Sequence, residues 1–213
     1  MRFFLIRHGE MAGDPFLEPQ RPVSGCLSET GIGQAERVRE YLSGRKIDAA
    51  YSSPFGRALQ TAEIALDGKD TPIRILPGIR EWMPDLKLKE LPSTEYEAIV
   101  GRNTDLPPEE EWKTPLGEGC FDLYARIVPA FLSALKEEGI YPGNGGYLAE
   151  SGAEDRSLAF FAHGGSLGVL LAFLMGMRPF PMSSFRFEPG GVCEVMFQKR
   201  RNVHYPVLPF RTP

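Results

Sequence analysis

Arg2-Phe3-Phe4-Leu5-Ile6-Arg7-His8-Gly9 opens the chain with four apolar residues in a row, then an arginine, a histidine and a glycine. A short, continuous apolar run ended by glycine is the pattern of a buried strand. The pattern returns far downstream, where Ser157-Leu158-Ala159-Phe160-Phe161-Ala162 leads into His163-Gly164-Gly165. The chain has only three histidines, and two of them stand at these matching strand ends. That placement points to one site built from both.

Working outward from the first strand, residues 10–27 hold several prolines and glycines and read as a loop. Ser28 suits the N-cap of a helix to about Ser43, with Ile32, Ala35, Val38 and Leu42 on one face and Gly44 as the stop. Ile47 to Ser52 reads as a second strand. A helix follows to about Leu66, with Ser53 as N-cap and Pro54 at the first helical position. Ile73 to Leu76 is a third strand. Residues 77–120 are irregular, with a short helix near 93–100 and an acidic run at Glu109-Glu110-Glu111, and read as an insertion over the site. Phe121 to Glu138 is a long helix. The Gly-rich stretch from Gly139 to Asp155 reads as a mobile loop or a hairpin, and its length suggests a lid. After the strand Ser157–Ala162 comes a helix from Gly164 to about Met175. Val192–Lys199 and Val203–Leu208 read as closing strands.

Strands alternating with helices imply an α/β fold: a three-layer sandwich with a mainly parallel central sheet flanked by helices. In such sheets ligands sit outside the carboxyl ends of the strands. His8, His163 and the turn carrying Ser53 and Arg57 all lie at those ends. Two histidines and two arginines there make a pocket for a phosphoryl group. An imidazole attacks phosphorus if one nitrogen is free and the other is fixed by an acceptor. Arg7 and Arg57 can grip phosphate oxygens through their planar forks. The helix start at Gly164 offers backbone N–H groups and the positive end of a dipole, and Gly164 and Gly165 allow close approach. His204 lies in a polar strand near the C-terminus without this context and is assigned no role.

Composition bounds the reading. The chain has 213 residues, 42% hydrophobic and 24% charged, with a formal net charge of −4. That suits one globular domain spanning 1–213. The negative balance excludes broad attraction to nucleic acid or an anionic membrane, so affinity for phosphate must be local. No apolar run approaches the roughly 20 residues of a membrane helix. The opening apolar run is too short for a signal peptide. Cys26, Cys120 and Cys193 are odd in number and widely spaced. They read as buried thiols in a reducing cytoplasm rather than a disulfide framework or zinc site. Oligomeric state is not legible.

Arg7-His8-Gly9-Glu10 resembles the signature of the histidine phosphatase superfamily, the phosphoglycerate mutase-like proteins. Leu27 through Ala35 resembles the first helix of that family. Ser52-Ser53-Pro54, Arg57-Ala58 and Gln60-Thr61-Ala62 resemble its second. Gly117-Glu118-Gly119 resembles a Gly-Glu-Ser motif with Gly119 in place of serine, and Ala162-His163-Gly164-Gly165 resembles the second histidine motif. The resemblance implies a phosphoglycerate mutase-like fold and transient phosphorylation of His8. It implies that Arg7, Arg57 and His163 hold the phosphoryl group, with no metal and no cofactor. It implies a proton donor after the third strand, here Glu81, whose neighbour Trp82 can supply an apolar contact.

The chain departs from that pattern at Met11 and Asp14, where the family often has threonine and asparagine. An ionised Asp14 cannot donate to phosphate, so that contact is either missing or supplied by Ser24 or the Gly25 amide. The expected activity is hydrolysis of small phosphomonoesters, the partner being a small phosphorylated metabolite and the product inorganic phosphate. The alternatives are mutase-type phosphoryl transfer and a non-catalytic phospho-ligand or protein-binding module. Mutases of the family resembled tend to carry an extra basic segment between the third strand and the long helix, so the acidic, Pro-rich stretch here favours hydrolysis, and a carboxylic acid in the set disfavours a mere binder.

Overall fold

The computed structural model describes residues 1–12, 26–82, 117–178 and 185–209, and the helical positions Thr94, Glu95 and Ala98 between them. The elements run β1 (Arg2–Arg7), α1 (Glu29–Leu42), β2 (Ala49–Ser52), α2 (Gly56–Ala65), β3 (Ile73–Ile75) and a single 3₁₀ turn (Pro77–Ile79). They continue with α3 (Cys120–Glu137), β4 (Ile140–Gly143), β5 (Gly146–Ala149), β6 (Ser157–Ala162), α4 (Gly164–Leu174), β7 (Val192–Arg200) and β8 (Val203–Val207).

All eight strands share one sheet, in the order β3-β2-β6-β1-β7-β8-β5-β4. Successive side chains of β1 point to opposite faces. Phe3 and Leu5 pack with Phe160 of β6, Phe131 of α3 and Leu167 of α4. Phe4 and Ile6 pack on the other face with Val38 of α1, Ala62 of α2 and Phe161 of β6. Helices therefore cover both faces, which gives the three expected layers. Phe3 meets Phe131 and Phe160 edge-on at ring distances of 5.9 and 6.0 Å. Each such fully buried ring contributes about 2–3 kcal/mol.

The sheet is mixed, which corrects the expectation of a mainly parallel one. β3, β2, β6 and β1 are mutually parallel. From β1 onward the pairs β1–β7, β7–β8, β8–β5 and β5–β4 are all antiparallel. The cause lies in the connections: β4–β5 and β7–β8 are joined by tight turns, and a tight turn can join only antiparallel neighbours.

The segment 139–155 is a hairpin and not a lid. Asn144 and Gly145 turn it with φ of 54° and 76°, left-handed values typical of a two-residue hairpin turn. The residues that follow lie at the opposite end of the sheet from His8, where the Met1 amino group donates to the Glu154 carbonyl at 2.7 Å.

Two local expectations shift. Ser28 caps α1 as expected, accepting from the Gly31 N–H at 3.0 Å, but Ile32 is exposed and Gly31 is buried in its place. A Cβ at Gly31 would stand 2.0 Å from the Glu10 carbonyl oxygen, so glycine lets the exit of β1 lie against α1. The second helix starts at Gly56 with Phe55 as its cap residue, and Pro54 precedes it. Ser53 instead accepts from the Phe55 N–H at 3.3 Å and faces the second histidine. The acidic run Glu109–Glu111 lies outside the described residues.

Candidate active site

Three parallel strands end side by side, and each delivers one part of the site. His8 follows β1, His163 follows β6, and Ser53 follows β2, which lets Arg57 stand in the first turn of α2. His8, Ser53, Arg57 and His163 are all buried. The two imidazole rings lie 5.0 Å apart between centroids.

Arg57 joins them. Its Nε–H is directed at both His8 Nε2 (3.2 Å) and His163 Nδ1 (3.1 Å). A guanidinium only donates, so both of these ring nitrogens are acceptors. In a neutral ring the proton then sits on the other nitrogen. His8 Nδ1–H donates to the Gly9 carbonyl at 2.7 Å, and His163 Nε2–H donates to Ser53 Oγ at 2.8 Å. Burial and then Arg57 pull the His8 pKa down to about 3, the Gly9 carbonyl opposing them and Arg7 adding a smaller downward effect. Burial, helped by His8 and Arg57, holds His163 well below its ordinary value. Both rings are thus neutral near pH 7. His8 presents an Nε2 lone pair that one N–H of Arg57 touches and no covalent proton blocks.

Arg7 donates to the Phe187 carbonyl, and its buried Nε has no partner among the described residues. Its guanidinium lies across Gly164, where an added Cβ would stand 3.6 Å away, an ordinary contact. Glu81 sits on the start of α4. Its carboxylate accepts from the N–H groups of Gly165 (3.1 Å) and Ser166 (3.2 Å). The helix N-terminus expected to face a phosphoryl group is therefore engaged by a side chain of the site itself. The tight glycine is Gly165, since a Cβ there would come within 2.7 Å of Glu81 Oε1. Trp82 reaches Glu81 through its backbone N–H (2.9 Å). Its indole N–H donates to the Glu118 carbonyl.

The structure thus gathers Arg7, His8, Arg57, Glu81, His163 and Gly164 at one edge of the sheet. Asp14, Ser24 and Gly25 lie outside the described residues. His204 is buried in β8, opposite Lys199 of β7 and Tyr147 of β5, away from this edge. Sequence reasoning missed how Thr61 ties the site together: it accepts from the Gly9 N–H (3.1 Å) and donates to the Arg57 carbonyl (2.7 Å). It also gave no role to Gln60, which accepts from the N–H groups of Cys26 and Leu27 at 2.9 Å each. The only signal was their place in the Gln60-Thr61-Ala62 match. Among the described residues no group of three or more His, Cys, Asp or Glu side chains is arranged to hold a metal ion. No helix of the described residues is long and apolar enough to cross a membrane.

The family model of the histidine phosphatase superfamily (branch 1) matches residues 3–205. The chain belongs to the histidine phosphatase superfamily. This superfamily member is 29% identical over 206 residues to an adenosylcobalamin/alpha-ribazole phosphatase of Salmonella typhi, covering 91% of this chain and 92% of that one. It is 26% identical over 199 residues to a probable phosphoglycerate mutase GpmB of Proteus mirabilis, covering 93% and 86%. Among solved structures, Bacillus stearothermophilus YhfR shares the fold with a TM-score of 0.72 at 21% identity, over 97% of this chain and 95% of that one.

Proposed function

We propose that this chain is a metal-independent phosphatase that hydrolyses small phosphomonoesters through a phosphohistidine on His8. The observation that carries the reading is the tautomer of His8. Its Nδ1–H is held by the Gly9 carbonyl, so Nε2 offers a lone pair into a site lined by two arginines.

In the first step the Nε2 lone pair forms a bond to phosphorus and the bond to the leaving oxygen breaks. That oxygen takes a proton from the Glu81 carboxylic acid. In the second step water attacks phosphorus and gives its proton to the Glu81 carboxylate. The N–P bond breaks, and its electron pair returns to Nε2. Arg57 yields its contact with Nε2 as phosphorus arrives, and its fork and that of Arg7 then neutralise the non-bridging oxygens. A phosphoryl dianion beside His163 favours protonation of Nδ1, which converts that ring into a further donor.

Residues 1–213 form one domain in this reading; most of the insertion expected at 77–120 lies outside the described residues. The thiols of Cys26, Cys120 and Cys193 suit a reducing cytoplasm; of these, Cys193 is half-buried and not fully buried as expected. The substrate is a small phosphorylated metabolite, and the Salmonella relative makes alpha-ribazole phosphate the first compound to assay. The likeness to a probable phosphoglycerate mutase supports a second reading, transfer of the phosphoryl group back to a bound acceptor.

The test is release of inorganic phosphate from a panel of phosphomonoesters with chelator present, for the wild type and His8→Ala. Release that persists in chelator and falls at least about 1,000-fold in His8→Ala supports the phosphatase. A requirement for added metal overturns the mechanism. Phosphoryl exchange between phosphoglycerates without net release favours the mutase.

A further inference from the structure

The Gly117-Glu118-Gly119 motif has no part in the chemistry above, and Arg126 was not singled out by sequence at all. Both converge on the segment that carries Glu81. Arg126, on α3, directs five N–H groups at acceptors. Nη1 donates to the carbonyls of Gly78 (2.7 Å) and Arg80 (2.9 Å). Nη2 reaches the carbonyl of Glu81 itself (3.4 Å) and Glu118 Oε2 (2.7 Å). Nε donates to Glu118 Oε1 (2.8 Å). The same carboxylate accepts from Arg80 Nη2 (2.9 Å), and the Glu118 carbonyl accepts from the Trp82 indole. Gly78 is pressed so closely to α3 that a Cβ there would overlap Ala130 Cβ at 2.2 Å. Every residue from Gly78 to Trp82 except Ile79 is therefore tied, through its carbonyl or its side chain, to Arg126 or Glu118, and Ile79 is fully buried.

We infer that the Arg126–Glu118 ion pair is the positioning device for Glu81, fixing where its carboxyl stands relative to the leaving oxygen. This rests on the reading of Glu81 as the proton donor. The chemistry explains why the device is built this way. A short segment with no strand or helix beyond one 3₁₀ turn has no backbone ladder to hold it. A planar guanidinium with five fixed donors can hold several carbonyls at once, and its bidentate grip on Glu118 fixes its own orientation. A carboxyl displaced by about 1 Å loses much of its catalytic effect.

The test uses leaving-group dependence. The kcat/KM reports events up to departure of the leaving group. An alkyl phosphate needs its leaving oxygen protonated, whereas 4-nitrophenyl phosphate leaves as a stable anion. Arg126→Lys and Glu118→Gln should each lower kcat/KM for an alkyl phosphate by about 10-fold or more, a part of the roughly 100-fold that a placed general acid contributes. For 4-nitrophenyl phosphate the same variants should change it less than about 3-fold. Glu81→Gln is the reference and should show the same split, and Glu81→Gln combined with Arg126→Lys should fall no further than Glu81→Gln alone. Equal losses on both substrates in both variants would show a merely structural pair and overturn the inference. Absence of the split in Glu81→Gln would instead remove Glu81 as the acid, a distinct failure. If Arg126→Lys does not fold, Glu118→Gln, which keeps the size and shape of the side chain, carries the test.

Discussion

The two ends of the parallel strands use buried charge in opposite ways. At the amino ends, beside β2 and α3, Glu138 is buried and accepts from Tyr51 (2.9 Å), Arg74 (2.6 Å) and Arg156. Asp48 there accepts from the Ser157 N–H (2.9 Å) and pairs with Lys46 (2.6 Å). At the carboxyl ends Arg57 turns its Nε to two neutral rings, and Arg7 donates to a carbonyl while its Nε lacks a partner among the described residues. One end has matched its charges internally. The other holds two cations, Arg57 buried and Arg7 half-buried, whose natural complement is an anion from outside. On the proposed function, stability and catalysis are separated along the strand axis, and each end should respond to substitution in its own way.

The largest effect should come from breaking the open end. Arg57→Lys keeps the charge but loses the planar fork and the Nε that lies between the two imidazoles. It should lower kcat/KM for phosphate release by about 100-fold or more, roughly 3 kcal/mol, while the melting temperature changes little. Comparable losses of melting temperature and activity would dissolve the distinction between the ends.

Glu138→Gln should do the reverse. Removing one partner of a fully buried ion pair costs about 3–5 kcal/mol. Here the arginine side chains are 47% and 37% exposed, so solvent screens them and about 2 kcal/mol is expected. Urea unfolding should show that loss, and kcat/KM of the folded protein should stay within about 3-fold of wild type.

The effect smallest per step of the variable sharpens the contrast through pH. An unfolded His8 binds a proton below about 6.5, whereas the folded ring resists protonation down to about 3. Between those values the unfolded chain holds more protons, so acidification favours unfolding and stability falls as pH drops through that window. His8→Gln should flatten the dependence of unfolding free energy on pH there by up to about 1.4 kcal/mol per pH unit. An unchanged slope would mean that His8 is not buried as a neutral ring.

Legibility followed the range of the forces involved. β1 and β6 appear at their expected boundaries, because a continuous apolar run between polar ends admits one reading. The Ser28 cap and the start of α4 at Gly164 are likewise local matters of backbone hydrogen bonding. The sheet's second half was not legible: the alternation in β7 and β8 marks them as strands but carries no information on which neighbour they join or in which direction. The lid reading of 139–155 failed for the same reason, since Asn144-Gly145 signals a turn without saying which end of the molecule it closes. Ser53 was placed as a helix cap because its hydroxyl and Pro54 suit one, and only the neighbouring strand shows that the hydroxyl faces His163 instead.

Residue chemistry alone brought Arg7, His8, Arg57 and His163 forward, because scarce, reactive side chains at strand ends and helix starts stand out against an apolar background; Glu81 came forward only through the family resemblance. Their tautomers, the engagement of the α4 N-terminus by Glu81 and the clamp of Arg126 on its segment depend on groups 45 to 110 residues apart in the chain meeting within about 3.5 Å. Hydrogen bonds act only at contact, so no local pattern encodes them, and the tertiary structure alone decides them.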